Sequence, residues 1–224
     1  MSGTKGHLKR LRLANRQLLI LDDKAQKDEE DDGLITVLVF ILGETARAAN
    51  FSLNGYERDT NPLLAKQDIV YFKETPTCDT ADIQNCTTQE IVNTYDNTIL
   101  YTDYVVSSAI DILKKFPHFE GGLIYVSDHG ESLGENNIYL HGMPYTIAPK
   151  EQIEVPMVLF MNENMKRFDF VDYDCMKKVA QTTMHSHDNL FHSIFGLLEI
   201  NTKEYDQNLD LFRACRTKKL RFEK

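Results

Sequence analysis

A charge-free and mostly apolar run at residues 34–42 is the feature that most constrains how this chain can fold. The run is rich in β-branched residues, and its length is about half the roughly 20 residues that a membrane-spanning helix needs. A short run of this kind is typical of a strand that is buried on both faces of a parallel sheet. The run stops at Gly43-Glu44, so the sequence predicts an acidic side chain at the carboxyl end of a buried strand.

Similar runs recur along the chain and alternate with amphipathic segments. The predicted elements are strands at residues 68–72, 123–127 and 155–160, and helices from Thr87 to a point before Pro117, at 175–183 and at 189–198. Pro156 suggests that the last strand lies at a sheet edge or begins there. Thr45 is predicted to cap a short helix or turn through Ala49. Strands that alternate with helices indicate an α/β protein with a mostly parallel sheet flanked by helices.

Composition indicates a globular protein with no affinity for nucleic acid. Hydrophobic residues make up 42% of the 224 residues, enough for the core of one domain or of two small ones. The net charge of −9, from 34 acidic and 25 basic residues, argues against a nucleic-acid binder. We recognise neither a signal peptide nor a membrane-spanning segment in the chain and expect it to carry no export address of its own.

Charge patterning divides the chain into three parts. Residues 1–33 form a charged N-terminal arm and linker, basic at first and acidic later, that is predicted to be solvated. Residues 34–217 form the globular domain, and residues 218–224 form a basic tail.

The chain contains four cysteines, Cys78, Cys86, Cys175 and Cys215. None of them forms a C-x-x-C pair, so a structural zinc site of thiolates is not expected. The even count suits two disulfides in an oxidising compartment, and four cysteines allow three connectivities. We favour Cys78–Cys86 with Cys175–Cys215 because the first pair closes a short polar loop. Four reduced thiols in a cytosolic protein are the alternative.

Two of the predicted strands end in acidic residues. Glu44 follows the first, and Asp128 follows the strand at 123–127 with His129 beside it. Because ligands bind at the carboxyl ends of strands in open α/β sheets, these three side chains are expected to converge. Two carboxylates and an imidazole suit zinc or manganese. The alternative is that Glu44 and Asp128 cap helices that follow them.

The strings around these residues are long and unusual. They are GETAR at 43–47, FSLNGY at 51–56, NP at 61–62, PTCDT at 76–80, NTYDN at 93–97, SDHGESLGE at 127–135 and YLHG at 139–142. In these strings the sequence resembles the lipid A phosphoethanolamine transferases. These are membrane-anchored enzymes of Gram-negative bacteria that include polymyxin (colistin) resistance determinants, and they belong to the alkaline phosphatase and sulfatase superfamily.

The resemblance implies roles for particular residues. Glu44, Asp128 and His129 match zinc ligands of the family. Glu131 and His141 match residues that line the phosphoethanolamine site, where Glu131 would take part in catalysis and His141 would bind the phosphate or a second metal. A histidine in a surface loop is the alternative for His141. The histidines near the start of the last helix, His185, His187 and His192, are expected to cap or pack.

The resemblance also implies a reaction and a location. In the family a threonine hydroxyl attacks the phosphate of phosphatidylethanolamine, and lipid A then accepts the phosphoethanolamine group. This takes place at the periplasmic face of the inner membrane. The resemblance implies that a long central segment, which carries that threonine, is missing near residues 73–74. Thr80, in Cys78-Asp79-Thr80-Ala81, imitates the lost segment and is the candidate for a substitute nucleophile. Asp79 would place negative charge beside an incoming phosphate, and residues 79–86 already match a later disulfide loop of the family, so the structural role is favoured.

The functional expectation is therefore zinc-dependent phosphoethanolamine transfer that is impaired by the loss of the nucleophile. A metal-dependent phosphohydrolase that uses water bound to zinc is one alternative, and a catalytically inactive fragment is the other. A domain shortened near residues 73–74 is also expected to expose apolar surface.

Overall fold

A four-stranded sheet organises the part of the chain described by a computed structural model, residues 24–27, 35–68, 70–72, 88–168, 171–218 and 220. The strands are β1 (Gln26–Lys27), β2 (Thr36–Gly43), β3 (Val70–Phe72), β4 (Glu120–Ser127), β5 (Ser132–Leu133), β6 (Tyr139–Leu140), β7 (Met157–Met161) and β8 (Ile200–Asn201). The α-helices are α1 (Thr88–Leu113), α2 (Lys150–Ile153), α3 (Glu163–Phe168), α4 (Tyr173–Thr182) and α5 (Asp188–Leu197). Thr80, Cys78 and Cys86 lie outside the described residues, as do most of the N-terminal arm and of the basic tail.

The largest sheet among the described residues has the strand order β2-β4-β7-β3. β2 and β4 are parallel along their whole length, with Thr36 opposite Glu120 and Gly43 opposite Ser127. β7 runs antiparallel to both β4 and β3, so three of these four strands share one direction. The predicted α/β class with helices on the sheet is confirmed. Pro156 immediately precedes β7, as a strand-beginning proline should, but β7 lies inside this sheet and the edge alternative was wrong.

Both faces of the inner strands β4 and β7 are covered, which explains why the residues in the middle of these strands are apolar. Every residue of β4 and β7 is buried. Alternate side chains point to opposite faces. Ile124 and Leu159 pack in the cluster that also holds residues of α4 and α5, whereas Leu123 and Phe160 pack in the cluster that holds residues of α1. The two apolar layers hold the carboxyl ends of β2 and β4 side by side.

The predicted helices are present with small shifts of their ends. α1 ends before Pro117 as expected. Asp172 caps α4 by accepting a hydrogen bond from the Cys175 backbone N–H at 2.8 Å. Cys175 is bonded to Cys215, which confirms the second predicted disulfide. The helices in the described part of the chain do not combine the length and hydrophobicity needed to cross a bilayer.

The predicted capping role of Thr45 was wrong. Thr45 has a positive φ of 56° and lies in the turn that leaves β2. A short 3-10 helix at Ala48–Asn50 begins later, and its preceding residue, Arg47, makes no side-chain cap. The turn at Thr45 brings the backbone towards Asp128 instead of starting a helix.

Candidate metal centre

Glu44, Asp128 and His129 meet where β2 and β4 end. Gly43 and Ser127, the last residues of the two strands, are paired, and the Asp128 backbone N–H donates to the Gly43 carbonyl at 3.1 Å. The next residue of each strand therefore projects from the same edge. His129 Nε2 lies 2.9 Å from Glu44 Oε1 and 3.5 Å from Asp128 Oδ2. One ligand atom from each of the three residues lies within 4.8 Å of the others.

The hydrogen bonds of the buried His129 ring leave its Nε2 facing two carboxylates. Nδ1 lies 3.0 Å from the Gly130 carbonyl, and a carbonyl oxygen only accepts, so Nδ1 carries a proton. Nε2 faces two carboxylates and so requires either a second proton or a metal ion. A backbone carbonyl that holds the remote nitrogen is the arrangement usual for metal-binding histidines. Ligands of tetrahedral zinc lie about 3.3 Å apart, close to the distances seen here, so the three residues fit such an ion.

The carboxylate of Asp128 is held in a fixed orientation. Its Oδ1 accepts hydrogen bonds from the backbone N–H groups of His129, at 2.9 Å, and Thr45, at 3.4 Å. This leaves Oδ2 to face His129 Nε2. The alternative in which Asp128 caps a helix is excluded, because no helix directly follows Asp128 in the described chain.

The site is closed on one side and open on the other. The side chain of His129 is 3% exposed, that of Asp128 36% and that of Glu44 71%. A metal held by three protein ligands with an open position is typical of catalytic sites and not of structural ones.

Glu131 and His141 form a second layer against His129. Glu131 Oε1 lies 3.2 Å from His141 Nδ1, and the rings of His129 and His141 are 4.2 Å apart. Both residues are buried, so His141 is not a surface-loop histidine. Burial, and then the charge of Glu44, raise the pKa of Glu131 to about 7 although Arg47 acts to lower it. Glu131 can therefore hold or release a proton near neutral pH.

The hydrogen bonds that support this layer involve residues that sequence reasoning did not identify. Ser127 Oγ accepts from the Ala46 backbone N–H at 2.8 Å and donates to the His129 carbonyl at 3.0 Å. Arg47 donates to the Glu131 carbonyl at 3.0 Å and to the Glu135 carboxylate at 2.7 Å. The strings around the site contain these residues, but their roles depend on contacts between distant segments.

The remaining histidines have different environments. His187 immediately precedes α5, but its side chain makes no cap and donates from Nε2 to the Ser127 carbonyl at 2.8 Å. The expected capping role of His187 was therefore wrong, because the ring points back to the end of β4. His192 accepts from the Asp206 backbone N–H at 2.9 Å and packs edge-on against Phe191. His185 is half-buried, and burial lowers its pKa.

Comparison with known proteins identifies the family. The profile of the Sulfatase family matches residues 36–87 and 71–200 of this chain. The chain belongs to the sulfatase family. A similar sulfatase-family fold is seen in the crystal structure of the soluble domain of lipooligosaccharide phosphoethanolamine transferase A from Neisseria meningitidis. The TM-score is 0.82 with 27% sequence identity, and the match covers 88% of this chain and 98% of that one.

The curated relatives of this sulfatase-family chain are named as phosphoethanolamine or phosphatidylethanolamine transferases. Phosphoethanolamine transferase EptA from Escherichia coli (strain K12) is 52% identical over 147 residues, which are 65% of this chain and 27% of that protein. Phosphatidylethanolamine transferase Mcr-2 from Escherichia coli is 37% identical over 136 residues, 60% of this chain and 23% of that protein. The predicted resemblance is thus confirmed, and the chain spans about a quarter of the length of these relatives.

Proposed function

We propose that this chain is the metal-binding part of a phosphoethanolamine transferase. In its intact form such an enzyme would move phosphoethanolamine from phosphatidylethanolamine to lipid A at the periplasmic face of the Gram-negative inner membrane. The observation that carries the proposal is the convergence of Glu44, Asp128 and His129 at the joined ends of β2 and β4. The names of the relatives support the choice of reaction within the sulfatase family.

Zinc is the metal that we propose for this centre. One imidazole nitrogen and two carboxylate oxygens, with an open position beside Glu44, are a donor set that zinc accepts. When bound, zinc would screen the negative charge of the phosphoryl oxygens and lower the pKa of a hydroxyl nucleophile. The chain itself would position the ligands. The Gly130 carbonyl would hold His129 in one tautomer, and the Thr45 N–H would hold Asp128 in one orientation.

Glu131 and His141 are proposed to bind the transferred group. Glu131 and His141 lie beside His129, and both side chains are much less exposed than that of Glu44. Glu131 in its ionised form would attract the ammonium group of ethanolamine, and His141 would donate to a phosphoryl oxygen. Burial and the charge of Glu44 raise the pKa of Glu131 in the metal-free centre, and a cation at Glu44 would favour the ionised form of Glu131. A second metal at His141 stays a prediction, because His141 is not among the three grouped ligands of the described chain.

The proposed transfer needs a hydroxyl nucleophile, and the threonine that serves this role in the family has no counterpart in the sequence resemblance. The resemblance implies that the segment with the family's threonine is missing near residues 73–74, and the family profile matches the chain in two segments, residues 36–87 and 71–200. We propose that the chain binds zinc but transfers phosphoethanolamine inefficiently, with Thr80 as a poor substitute. The exposure of Glu44 favours a second candidate, a phosphohydrolase in which water replaces the lost threonine hydroxyl.

The metal content of the purified chain tests the proposal. We expect about one zinc per chain by mass spectrometry, because the described part of the chain contains one set of three converging ligands. Glu44→Ala should lose most of this zinc, whereas Glu57→Ala, which removes another exposed glutamate, should keep it. Equal zinc in both variants, or no zinc in the folded wild type, would refute the proposed centre.

Activity assays separate the candidates once zinc binding is established. Hydrolysis of a chromogenic phosphodiester that is lost in His129→Ala would favour the phosphohydrolase. Transfer of labelled phosphoethanolamine to lipid A that is lost in Thr80→Ala would favour the transferase with a substitute nucleophile. Zinc binding without either turnover would identify an inactive fragment.

A further inference from the structure

Pro156 interrupts the hydrogen bonding between β4 and β7 at the end that carries the metal centre. The register of these strands, with Val126 opposite Met157, continues to Ser127 opposite Pro156, and the Ser127 N–H donates to the Pro156 carbonyl at 3.3 Å. In an antiparallel pair of this kind the two residues exchange two hydrogen bonds. Proline has no N–H, so the Ser127 carbonyl cannot receive the second bond from Pro156. Ser127 is buried, and its carbonyl therefore needs another donor.

His187, the residue before α5, supplies that donor. Its Nε2 lies 2.8 Å from the Ser127 carbonyl, and because a carbonyl oxygen only accepts, Nε2 carries a proton. The backbone around His187 is held by reciprocal hydrogen bonds. The Ser186 N–H donates to the Asn189 side chain at 2.9 Å, and the Asn189 N–H donates to the Ser186 carbonyl at 3.1 Å. The start of α5 thus presents the ring to a strand end that is 60 residues away in the chain.

The hydrogen bond from His187 acts on the peptide unit that leads into Asp128. A peptide unit is planar, so the Ser127 carbonyl shares one plane with the N–H and the Cα of Asp128. The carbonyl side of this unit accepts from His187, and the N–H side donates to the Gly43 carbonyl at 3.1 Å. The two bonds hold the plane from opposite sides of β4. They therefore fix the Cα from which the Asp128 carboxylate extends towards His129 Nε2.

We propose that His187 is a positioning residue of the metal centre, which holds Asp128 in place through the carbonyl that Pro156 cannot bind. The inference rests on the proposed zinc centre and adds to it a side chain from outside the three grouped ligands of the described chain. Groups that orient metal ligands typically change the metal affinity by about 10–100-fold when they are replaced. The end of β4, the start of β7 and the residue before α5 then act together on one ligand.

The zinc affinity of three variants, measured by competition with a chelator, tests the proposal. His187→Phe keeps an aromatic ring but removes the donor, and it should raise the zinc dissociation constant by about tenfold. His187→Gln places an amide Nε2–H as many bonds from Cβ as the histidine Nε2, so its dissociation constant should stay close to that of the wild type. His192→Phe is the matched control, because His192 is also half-buried and also bonds to the backbone, at the Asp206 N–H, but does not bond to β4. An unchanged dissociation constant in His187→Phe, or an equal loss in His187→Gln, would overturn the proposal.

Pro156→Ala separates the hydrogen bond of His187 from the packing of its ring. The substitution adds an N–H opposite the Ser127 carbonyl. In the His187→Phe background it should therefore recover most of the lost zinc affinity. In the wild-type background it should change the zinc affinity little, because His187 already binds the carbonyl. A ring that only fills space would gain nothing from the added N–H, so the absence of recovery would count against the proposal.

The metal-free chain distinguishes failure of this proposal from failure of the zinc centre. A folded wild type that binds no zinc would refute the centre, and the peptide unit would still report on His187 through hydrogen exchange of the Asp128 amide, followed by NMR. His187→Phe should speed this exchange, because the peptide unit loses one of the two bonds that hold it. His187→Gln and His192→Phe should exchange at the wild-type rate. Equal exchange in all four proteins would overturn the positioning role whether or not zinc binds.

Discussion

At the scale of single residues, the hydroxyl of Tyr95 holds the turn that carries Glu44. This hydroxyl accepts from the Arg47 backbone N–H at 2.7 Å and donates to the Thr45 carbonyl at 2.5 Å. Burial raises the pKa of Tyr95 far above its ordinary value, so the hydroxyl stays protonated and can donate at any physiological pH. Tyr95 thus links α1 to the turn that follows β2.

Tyr95→Phe should weaken both the fold and the metal centre. The change leaves the buried Arg47 N–H and the partly buried Thr45 carbonyl without this partner, which costs about 1–3 kcal/mol of the free energy of unfolding. It also loosens the turn beside Glu44, so we expect a higher zinc dissociation constant. Urea unfolding and zinc titration measure the two effects. Tyr101→Phe is the control, because Tyr101 is on the same helix but 69% exposed, and loss of the same stability in both variants would contradict the assigned role.

The residues of the candidate site differ in how far the sequence reveals them. Glu44, Asp128 and His129 were found because they directly follow apolar strands, and the ends of neighbouring parallel strands meet. Tyr95 and Ser127 were missed. Tyr95 acts on Arg47, 48 residues away in the chain, and only the packing of α1 against the turn brings them together. No local pattern contains that information.

At the scale of elements, Asp68 fastens α3 and α4 to the segment that enters β3. Its two carboxylate oxygens accept from Lys166 of α3 and Lys177 of α4, each at 2.5 Å. Burial acts to raise the pKa of Asp68, but the hydrogen bonds from the two lysines outweigh it and hold the pKa below its ordinary value. An acid with a lowered pKa stabilises the fold above its unfolded pKa and loses this contribution as the pH falls through its folded pKa.

Asp68→Asn should therefore reduce stability at neutral pH and have less effect in acid. The side chain is 49% exposed, so screening by solvent limits the loss to about 1 kcal/mol or less. The difference in urea midpoint between variant and wild type should be largest near neutral pH and shrink below about pH 4, and added salt should reduce it. A difference that grows on acidification would show that Asp68 acts in another way.

The positions of the elements along the chain were predicted better than the order and direction of the strands in the sheet. Apolar runs and helical periodicity placed β4, β7 and α1 to within a few residues, because burial on both faces or on one face leaves a direct pattern in the sequence. The position of β2 at an edge of the described sheet could not be predicted from its run, which is at least as apolar as β4. The antiparallel direction of β7 could not be predicted either, because a buried apolar strand has the same sequence pattern in parallel and in antiparallel pairing.

At the scale of the whole molecule, the disulfide Cys175–Cys215 closes a loop with a sequence separation of 40 residues that contains most of α4, all of α5 and β8. Cross-linking a loop of this length limits the freedom of the unfolded chain and stabilises a protein by roughly 2–4 kcal/mol. Cys215 is buried against the core that also holds residues of β4 and β7. The bond therefore ties the C-terminal part of the described chain to the central sheet.

Replacing Cys175 and Cys215 together by serine should lower the free energy of unfolding by about 2–4 kcal/mol. Urea unfolding of the variant and the wild type measures the loss. A reductant should destabilise the wild type by a similar amount and affect the double variant much less. If reductant destabilises both equally, the loss arises from other cysteines and not from this bond.

Gly130 makes the metal centre intolerant of change at one point of its backbone. Its N–H donates to the Gln152 carbonyl at 3.0 Å, and a Cβ atom here would lie 2.1 Å from the Glu151 carbonyl oxygen. Any other residue would push the Gly130 carbonyl away from His129 Nδ1 and so release the ring from its tautomer. Mutations can therefore accumulate around the exposed Glu44 with gradual losses of affinity, whereas a single substitution at Gly130 would end metal binding in one step. A related sequence with any other residue in place of this glycine is therefore expected not to bind metal, whatever its other ligands are.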